Sequence, residues 1–298
     1  MSILIDAGTR VLVQGITGNQ ARFDTEWCLR YGTRIVAGVT PGRGGEEVHR
    51  IPVYDTVARA VAQRPADACI VYAPAPMVRP AVLEALDACL QLVVITAEFV
   101  PLHDVVHIVA AARSAGATLV GCNTNGVISP GKSKVGGVGG IDPASLYDPG
   151  RIGVCSRSGG MTVEISLALR AGGYGISTSV AMGGDRVTGM TMGECLLRFE
   201  KDAETDAMVI FGEPGTANEQ EVAALLRAGR ITKPVVALIS GAFQETHPRG
   251  MSFGHAAAMI GSDDESASAK RAALAAAGAH IAAALEDIPV LLRRALVC

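Results

Sequence analysis

Short apolar runs alternate with longer amphipathic stretches from one end of the chain to the other. Arg10–Gln14, Arg34–Val39, Ala68–Tyr72, Leu92–Thr96 and Thr118–Gly121 are brief and mostly aliphatic, as strands buried on both faces are. Val78–Cys89 and Leu102–Gly116 have helical spacing, and a further helix is expected between the first two runs. Strands alternating with helices predict parallel βαβ units with right-handed crossovers.

The stretch Asn123–Gly150 breaks this rhythm, being rich in Gly, Pro, Ser and Asn. It predicts a domain boundary with an ordered loop. A second alternating set follows. Arg151–Cys155, Ser177–Ala181, Ala207–Phe211 and Pro234–Ile239 are its strands, with helices near Thr162–Ala171, Thr191–Glu200, Ala217–Ala228 and Ser266–Ala276. The expected organisation is α/β throughout: a Rossmann-like domain over residues 1–122, an interdomain loop over 123–150, and a flavodoxin-like domain over 151–298.

Composition agrees with this pattern. Of 298 residues, 49% are hydrophobic and only 4% aromatic, which suits aliphatic packing against Gly-rich turns. A net charge of -3 offers no electrostatic case for nucleic acid, so an anionic ligand would need local positive charge and backbone amides. The seven cysteines are scattered, none in a C-x-x-C pair, which predicts structural thiols in a reducing compartment. The N-terminus MSILIDAGTR lacks the basic and apolar regions of a signal peptide, and no apolar run reaches the ~20 residues of a membrane span. A soluble cytoplasmic protein is expected.

Candidate chemistry lies in the turns. Gln14-Gly15-Ile16-Thr17-Gly18-Asn19-Gln20 carries a strand into a Gly-containing turn and a helix, a setting that presents N–H groups to phosphate. It is G-x-x-G and not the full G-x-G-x-x-G. The second strand ends in Val39-Thr40-Pro41-Gly42-Arg43, with an arginine where a dinucleotide site wants an acid. Arg43 suits a phosphorylated ribose, as in NADP or the 3′-phosphate of CoA. Gly126–Ser133 matches G-x-x-x-x-G-K-[ST], but the glycine-rich sequence after it opposes the helix a P-loop needs. His103 and His107 have i, i+4 spacing, yet no third ligand is identifiable, so no metal site is expected.

Arg157-Ser158-Gly159-Gly160 joins a strand to a helix and is either an anion site or a turn whose serine caps the helix. In Gly250–Ile260 a single histidine, His255, stands among small residues that leave room for large charged groups. Neutral imidazole can carry a phosphoryl group if its other nitrogen is held by an acceptor, for which Glu213 is the candidate. A structural histidine is the alternative.

These segments together change the picture. QGITGNQ, GVTPGRGG, VYAPAP, NGVISPGKS, GVCSRSGG, FEKDAETDA, FGEPG, KPVVALISG and GHAAAMI, with MSILID at the start, occur in the order and spacing of one family. The chain resembles the α subunits of succinyl-CoA synthetase, including malate–CoA ligase α subunits, over nearly its whole length. The resemblance implies a CoA-binding domain followed by a CoA-ligase domain. It assigns CoA contacts to Thr17, Gly18, Asn19, Gln20, Val39, Pro41, Arg43, Tyr72, Thr96, Ala97 and Glu98. His255 matches the phosphorylated histidine and Glu213 its supporting glutamate. Ser158, Gly159 and Gly160 match the helix start that holds the phosphate, and Asn123 and Val163 fall at phosphate- or substrate-contacting positions.

The resemblance also implies a partner β subunit with an ATP-grasp domain that binds Mg-ATP or Mg-GTP, in an αβ or α2β2 assembly acting on a small carboxylic acid in the tricarboxylic acid cycle. Departures cluster where the acid should sit. Val163 replaces a tyrosine, and Gly121–Gly126 and Phe211–Pro214 differ from the family pattern. Malate, citrate or another substituted acid therefore competes with succinate. An NADP-dependent oxidoreductase and a non-catalytic CoA-binding protein are the readings from other classes.

Overall fold

The computed structural model describes every residue except Met1, Ser252, Ala256 and Cys298. Ser252 and Ala256 of the histidine segment, and Cys298 among the cysteines, thus lie outside the described residues. The chain divides into two compact units: Leu4–Pro143 with Val187–Met190, and Ala144–Arg186 with Thr191–Cys298 together with Met1–Ile3. The division falls at Pro143, inside the stretch expected to form the interdomain loop.

The N-terminal unit is built on β1 (Arg10–Gln14), α1 (Asn19–Tyr31), β2 (Arg34–Val39), β3 (Glu47–Val48), β4 (Ile51–Tyr54), α2 (Val57–Gln63) and β5 (Ala68–Val71). It continues with α3 (Val78–Asp87), β6 (Leu92–Ile95), α4 (Leu102–Ala115) and β7 (Thr118–Val120). The sheet order is β3-β4-β2-β1-β5-β6-β7, parallel except for the short β3–β4 ribbon. The sheet reverses its winding between β1 and β5, the topological switch point where α/β sheets bind ligands. Leu12, Val71, Val93 and Ile95 of the sheet pack against Val78 and Val82 of α3 and Val105 and Ile108 of α4. This core holds the loops that leave the strand C-termini along one edge.

The stretch read as a loop contains regular structure. β8 (Val127–Ser129) and β9 (Ser133–Val135) form an antiparallel hairpin whose turn carries Gly131 and Lys132. Ser133 opens the strand β9 and not a helix, so the G-x-x-x-x-G-K-S match is a hairpin turn. The hairpin escaped the sequence reading because its strands are three residues each and flanked by glycine. Lys134, fully buried, donates to the carbonyls of Val138 and Gly140, both at 3.0 Å.

The C-terminal unit starts with α5 (Pro143–Leu146) at the division, then β10 (Pro149–Ser156), α6 (Gly159–Ala171), β11 (Ile176–Ala181) and α7 (Met192–Lys201). β12 (Ala207–Gly212), α8 (Asn218–Arg227), β13 (Val235–Ile239), α9 (Ala267–Ala276), β14 (His280–Ala282) and α10 (Asp287–Val297) complete it. Its parallel strands run in the order β14-β13-β12-β10-β11. Here the winding reverses at β10, with β11 on one side and β12 on the other. The strands are buried along their length: β12 and β13 are continuous apolar runs, as a parallel sheet covered on both faces predicts, whereas β11 buries Ser177, Thr178 and Ser179. The two units are Rossmann-like and flavodoxin-like respectively. Among the described residues, no helix is long and apolar enough to cross a membrane.

Candidate functional site

In the N-terminal unit, the turns after β1, β2, β5, β6 and β7 gather most of the candidate ligand contacts. Gly15 has φ +74°, and a Cβ there would lie 2.9 Å from the Tyr72 carbonyl oxygen, so only glycine lets the β1 turn approach the end of β5. Gly18 caps α1 without a side-chain hydrogen bond, and the first helical turn has no acidic residue. Asn19 and Gln20 are exposed at that start. This end of α1 therefore keeps both its amide donors and its positive dipole for an anion.

Thr17 donates to Thr40 Oγ1 at 3.2 Å, which ties the β1 and β2 turns together. Arg43 is half-exposed and pairs with Glu46 at 2.5 Å, while Pro41 is exposed beside it. Thr96 donates to the Val71 carbonyl at 2.9 Å. Asn123, assigned to the phosphate and substrate group, lies instead in this unit: its backbone N–H donates to Ala97 and its side chain to Glu98 at 3.2 Å. The Val39 side chain is core, 2% exposed, and its carbonyl accepts from Gly15 N and Thr40 Oγ1. Val39 thus offers no side chain to a ligand.

The sequence reading passed over Asp24. This buried carboxylate accepts from Tyr72 Oη at 2.8 Å and from Gln20 Nε2 at 3.1 Å. It links two expected ligand contacts on different elements. Burial, reinforced by the Asp24 charge, pushes the Tyr72 hydroxyl well above its ordinary range, so Tyr72 is held as a neutral donor. Asp24 follows the Gly-containing turn by one helical turn, which was its only sequence signal.

In the C-terminal unit, the chemistry collects after β10, β11, β12 and β13. Glu213 directly follows β12 and is 7% exposed. His255 lies in the stretch after β13, and its Nδ1 is 2.9 Å from both Oε1 and Oε2 of Glu213. The imidazole side chain is 35% exposed. Gly184, after β11, makes room for the ring: a Cβ there would be 2.8 Å from His255 Cγ.

Arg157, fully buried after β10, donates from Nε to Glu213 Oε1 at 3.2 Å, from Nη1 to Thr216 Oγ1 at 3.0 Å and from Nη2 to the Asp185 carbonyl at 3.2 Å. Burial alone would raise the Glu213 carboxyl. The His255 hydrogen bond and the Arg157 charge outweigh it, and the group lies below the usual carboxylate range. Glu213 is therefore an anion, and an anionic acceptor favours the tautomer with hydrogen on Nδ1 and the lone pair on Nε2.

Ser158 stands at the N-cap of α6 without a side-chain cap hydrogen bond. Its backbone N–H donates instead to Ser156 Oγ at 3.1 Å, which sets aside the reading of a serine-capped turn. Gly159 and the exposed Gly160 open the helix, and Val163 is half-buried in it. Behind Glu213 lies an ion pair that the sequence also did not disclose. Lys270 of α9 and Glu219 of α8 are fully buried and hydrogen-bonded to one another. Of the two histidines at helical spacing, His103 is largely exposed and pairs with Asp104 at 3.3 Å. Among the described residues, no three His, Cys, Asp or Glu side chains group as metal ligands would.

The comparisons with known proteins bear on both units. Residues 6–99 match the family model of the CoA binding domain, and residues 155–280 that of the CoA-ligase family. An α subunit of ADP-forming succinate–CoA ligase from Archaeoglobus fulgidus is 46% identical over 296 residues, covering 99% of both chains. A subunit of ADP-forming sulfoacetate–CoA ligase from Bilophila wadsworthia is 39% identical over 297 residues, covering 99% of this chain and all of that one. Among solved structures, ATP citrate lyase from Methanosaeta concilii in complex with citryl-CoA superposes with a TM-score of 0.89 at 29% identity. The match covers 99% of this chain and 50% of that one, so the chain spans half the length of the lyase. Both units, in this order and at this identity, mean that the chain belongs to the succinate–CoA ligase α-subunit family and is an acid–thiol ligase subunit that works with a β subunit.

Proposed function

We propose that this subunit carries a phosphoryl group on His255 Nε2, between a nucleotide bound by an ATP-grasp β subunit and a carboxylic acid that becomes a CoA thioester. The observation that carries the reading is the contact of His255 Nδ1 with both oxygens of a buried, arginine-backed carboxylate. A carboxylate at Nδ1 stabilises the imidazolium-like charge that develops as Nε2 takes the phosphoryl group from Mg-ATP or Mg-GTP, releasing the nucleoside diphosphate. The phosphoryl group then passes to an acid oxygen, which restores the imidazole lone pair. The resulting acyl phosphate has a good leaving group, and attack by the CoA thiolate forms the thioester and expels phosphate. The uncapped start of α6 at Ser158, Gly159 and Gly160 is suited to hold the transferring group. CoA itself we assign to the turns around Thr17–Gln20, Pro41–Arg43, Tyr72 and Thr96–Glu98.

The acids in the relatives' names, succinate and sulfoacetate, share a reacting carboxylate and a second anionic group. We assign an acid of that class, with succinate and malate as the first candidates. The buried, unbridged thiols of Cys28, Cys69, Cys122, Cys155 and Cys195 suit a cytoplasmic setting.

The test uses the chain co-expressed with its β partner and incubated with Mg-ATP. Intact-mass spectrometry should find an acid-labile phosphoryl adduct on the wild type and none on His255→Ala. Addition of the correct acid together with CoA should discharge it. A correctly assembled complex that never forms the adduct would overturn the relay in favour of a CoA-binding protein without this chemistry.

A further inference from the structure

The Lys270–Glu219 pair holds the backbone on which the histidine's partner stands. Glu219 Oε1 accepts from the Glu213 backbone N–H at 3.2 Å. Lys270 Nζ donates to the Glu213 carbonyl at 2.8 Å, to the Gly215 carbonyl at 2.5 Å and to Glu219. Both peptide groups of one residue are thus fixed by one ion pair contributed by two helices. The turn it fixes, Glu213–Thr216, supplies the carboxylate that meets His255 and the hydroxyl that meets Arg157. Gly215 adopts φ +79°, and its N–H donates to the Glu265 carbonyl at 2.9 Å, so the turn is tied on a further side.

We infer that Lys270 and Glu219 are positioning residues for phosphoryl transfer: they lock the Glu213 backbone so that its carboxylate meets His255 Nδ1. The inference rests on the phosphohistidine reading given above and names the part of the fold that makes it work. Burying a lysine and a glutamate is costly, and an apolar pair of similar volume is often as stable or more so. Two charges are therefore not needed merely to fill this space, whereas fixing one backbone segment is a task that apolar side chains cannot perform. A hydrogen bond to a carboxylate weakens steeply when the donor and acceptor lose alignment, so a small shift of the turn would detach Glu213 from the ring.

The test compares wild type with the double variant Lys270→Met/Glu219→Leu, each in complex with the β partner. The double variant should keep its KM for CoA, while its unfolding temperature falls because the Glu213 N–H and the Glu213 and Gly215 carbonyls lose their partners. Its rate of phosphohistidine formation should fall at least roughly tenfold, in line with the cost of losing groups that orient a reactive side chain. Its acid limb should also move to higher pH, because a Glu213 carboxyl detached from His255 and Arg157 loses the interactions that lower it. Should the double variant not fold, Lys270→Arg decides. It keeps the charge opposite Glu219 but cannot set one compact donor on three acceptors, and it should show the same loss and the same pH shift. Wild-type phosphorylation with an unmoved acid limb, in the folded double variant or in Lys270→Arg, would overturn the inference. A wild type that forms no adduct would instead overturn the relay itself.

Discussion

The ligand-binding edge of the N-terminal unit and the histidine site of the C-terminal unit occupy equivalent places, the C-terminal edge of a parallel sheet, and are built in opposite ways. The first is assembled from short turns, exposed amides and a half-exposed cation, Arg43. The second is assembled from buried charge: Arg157, Glu213, Glu219 and Lys270 are each at most 7% exposed. The difference suits the tasks proposed for the two edges. A bound anion exchanges water for backbone donors, which preformed turns supply at little cost. A histidine that must hold one tautomer and one orientation needs a fixed carboxylate, and a carboxylate can be buried only with compensating cations around it.

The comparison breaks most sharply at Glu213. Glu213→Gln should lower the rate of phosphohistidine formation by roughly 10²–10⁴-fold, the range seen when a group that orients a catalytic imidazole is replaced. It should also lower the unfolding temperature, because removing one partner of a buried ion pair costs about 3–5 kcal/mol. Single-turnover phosphorylation and thermal unfolding of the same preparation check both, and unchanged phosphorylation would remove Glu213 from the mechanism.

The same group gives a pH signature. Its carboxyl lies below the ordinary value of about 4.3 in the folded chain, so its anion contributes stability above that pH. The contribution is lost as pH falls through the folded value. Unfolding temperature measured from neutral pH into the acid range should fall more steeply for wild type than for Glu213→Gln, and parallel curves would count against the assignment.

The N-terminal edge should respond more mildly. Asp24→Asn removes the charge that accepts from Tyr72 and Gln20 but keeps one acceptor, so CoA binding should weaken by roughly five- to tenfold, as expected for a weakened charged hydrogen bond. Calorimetric titration with CoA measures it, and unchanged affinity would make Asp24 structural only. Arg43→Ala should have the smallest effect, roughly fivefold in CoA affinity at low salt and less at high salt, since an exposed cation is screened. A loss that ignores ionic strength would point away from a phosphate contact.

The two regions were also unequally legible. The β1 turn could be read because its parts are neighbours in sequence: strand, Gly15, Gly18 and helix follow one another. The strands β1, β2 and β12 were predicted to within a residue, because a short, continuous aliphatic run between turn residues suits a strand buried on both faces. The β8–β9 hairpin was missed, since three-residue strands among glycines carry no period. Asp24 was missed because its partner Tyr72 is 48 residues away. His255 and Glu213 were singled out from residue type alone, but a histidine among alanines is by itself ambiguous, and only the resemblance of several motifs to one family favoured the phosphorylated reading.

What the sequence determined alone is therefore local: two alternating α/β halves, the glycine turns at strand ends, and the set of residue types that makes an acid–CoA ligase subunit. The first two follow from hydrophobic period and from φ/ψ limits, which act over a few residues, and the third from the resemblance of several motifs to one family. What only the tertiary structure decided is which charges meet. Arg157 and Glu213 are 56 residues apart, and Lys270 reaches the Glu213 carbonyl from 57 residues further along. No local pattern encodes such pairs. They arise because neighbouring strands of one parallel sheet end at the same edge, and because a charge buried there must find its partner from another strand or helix.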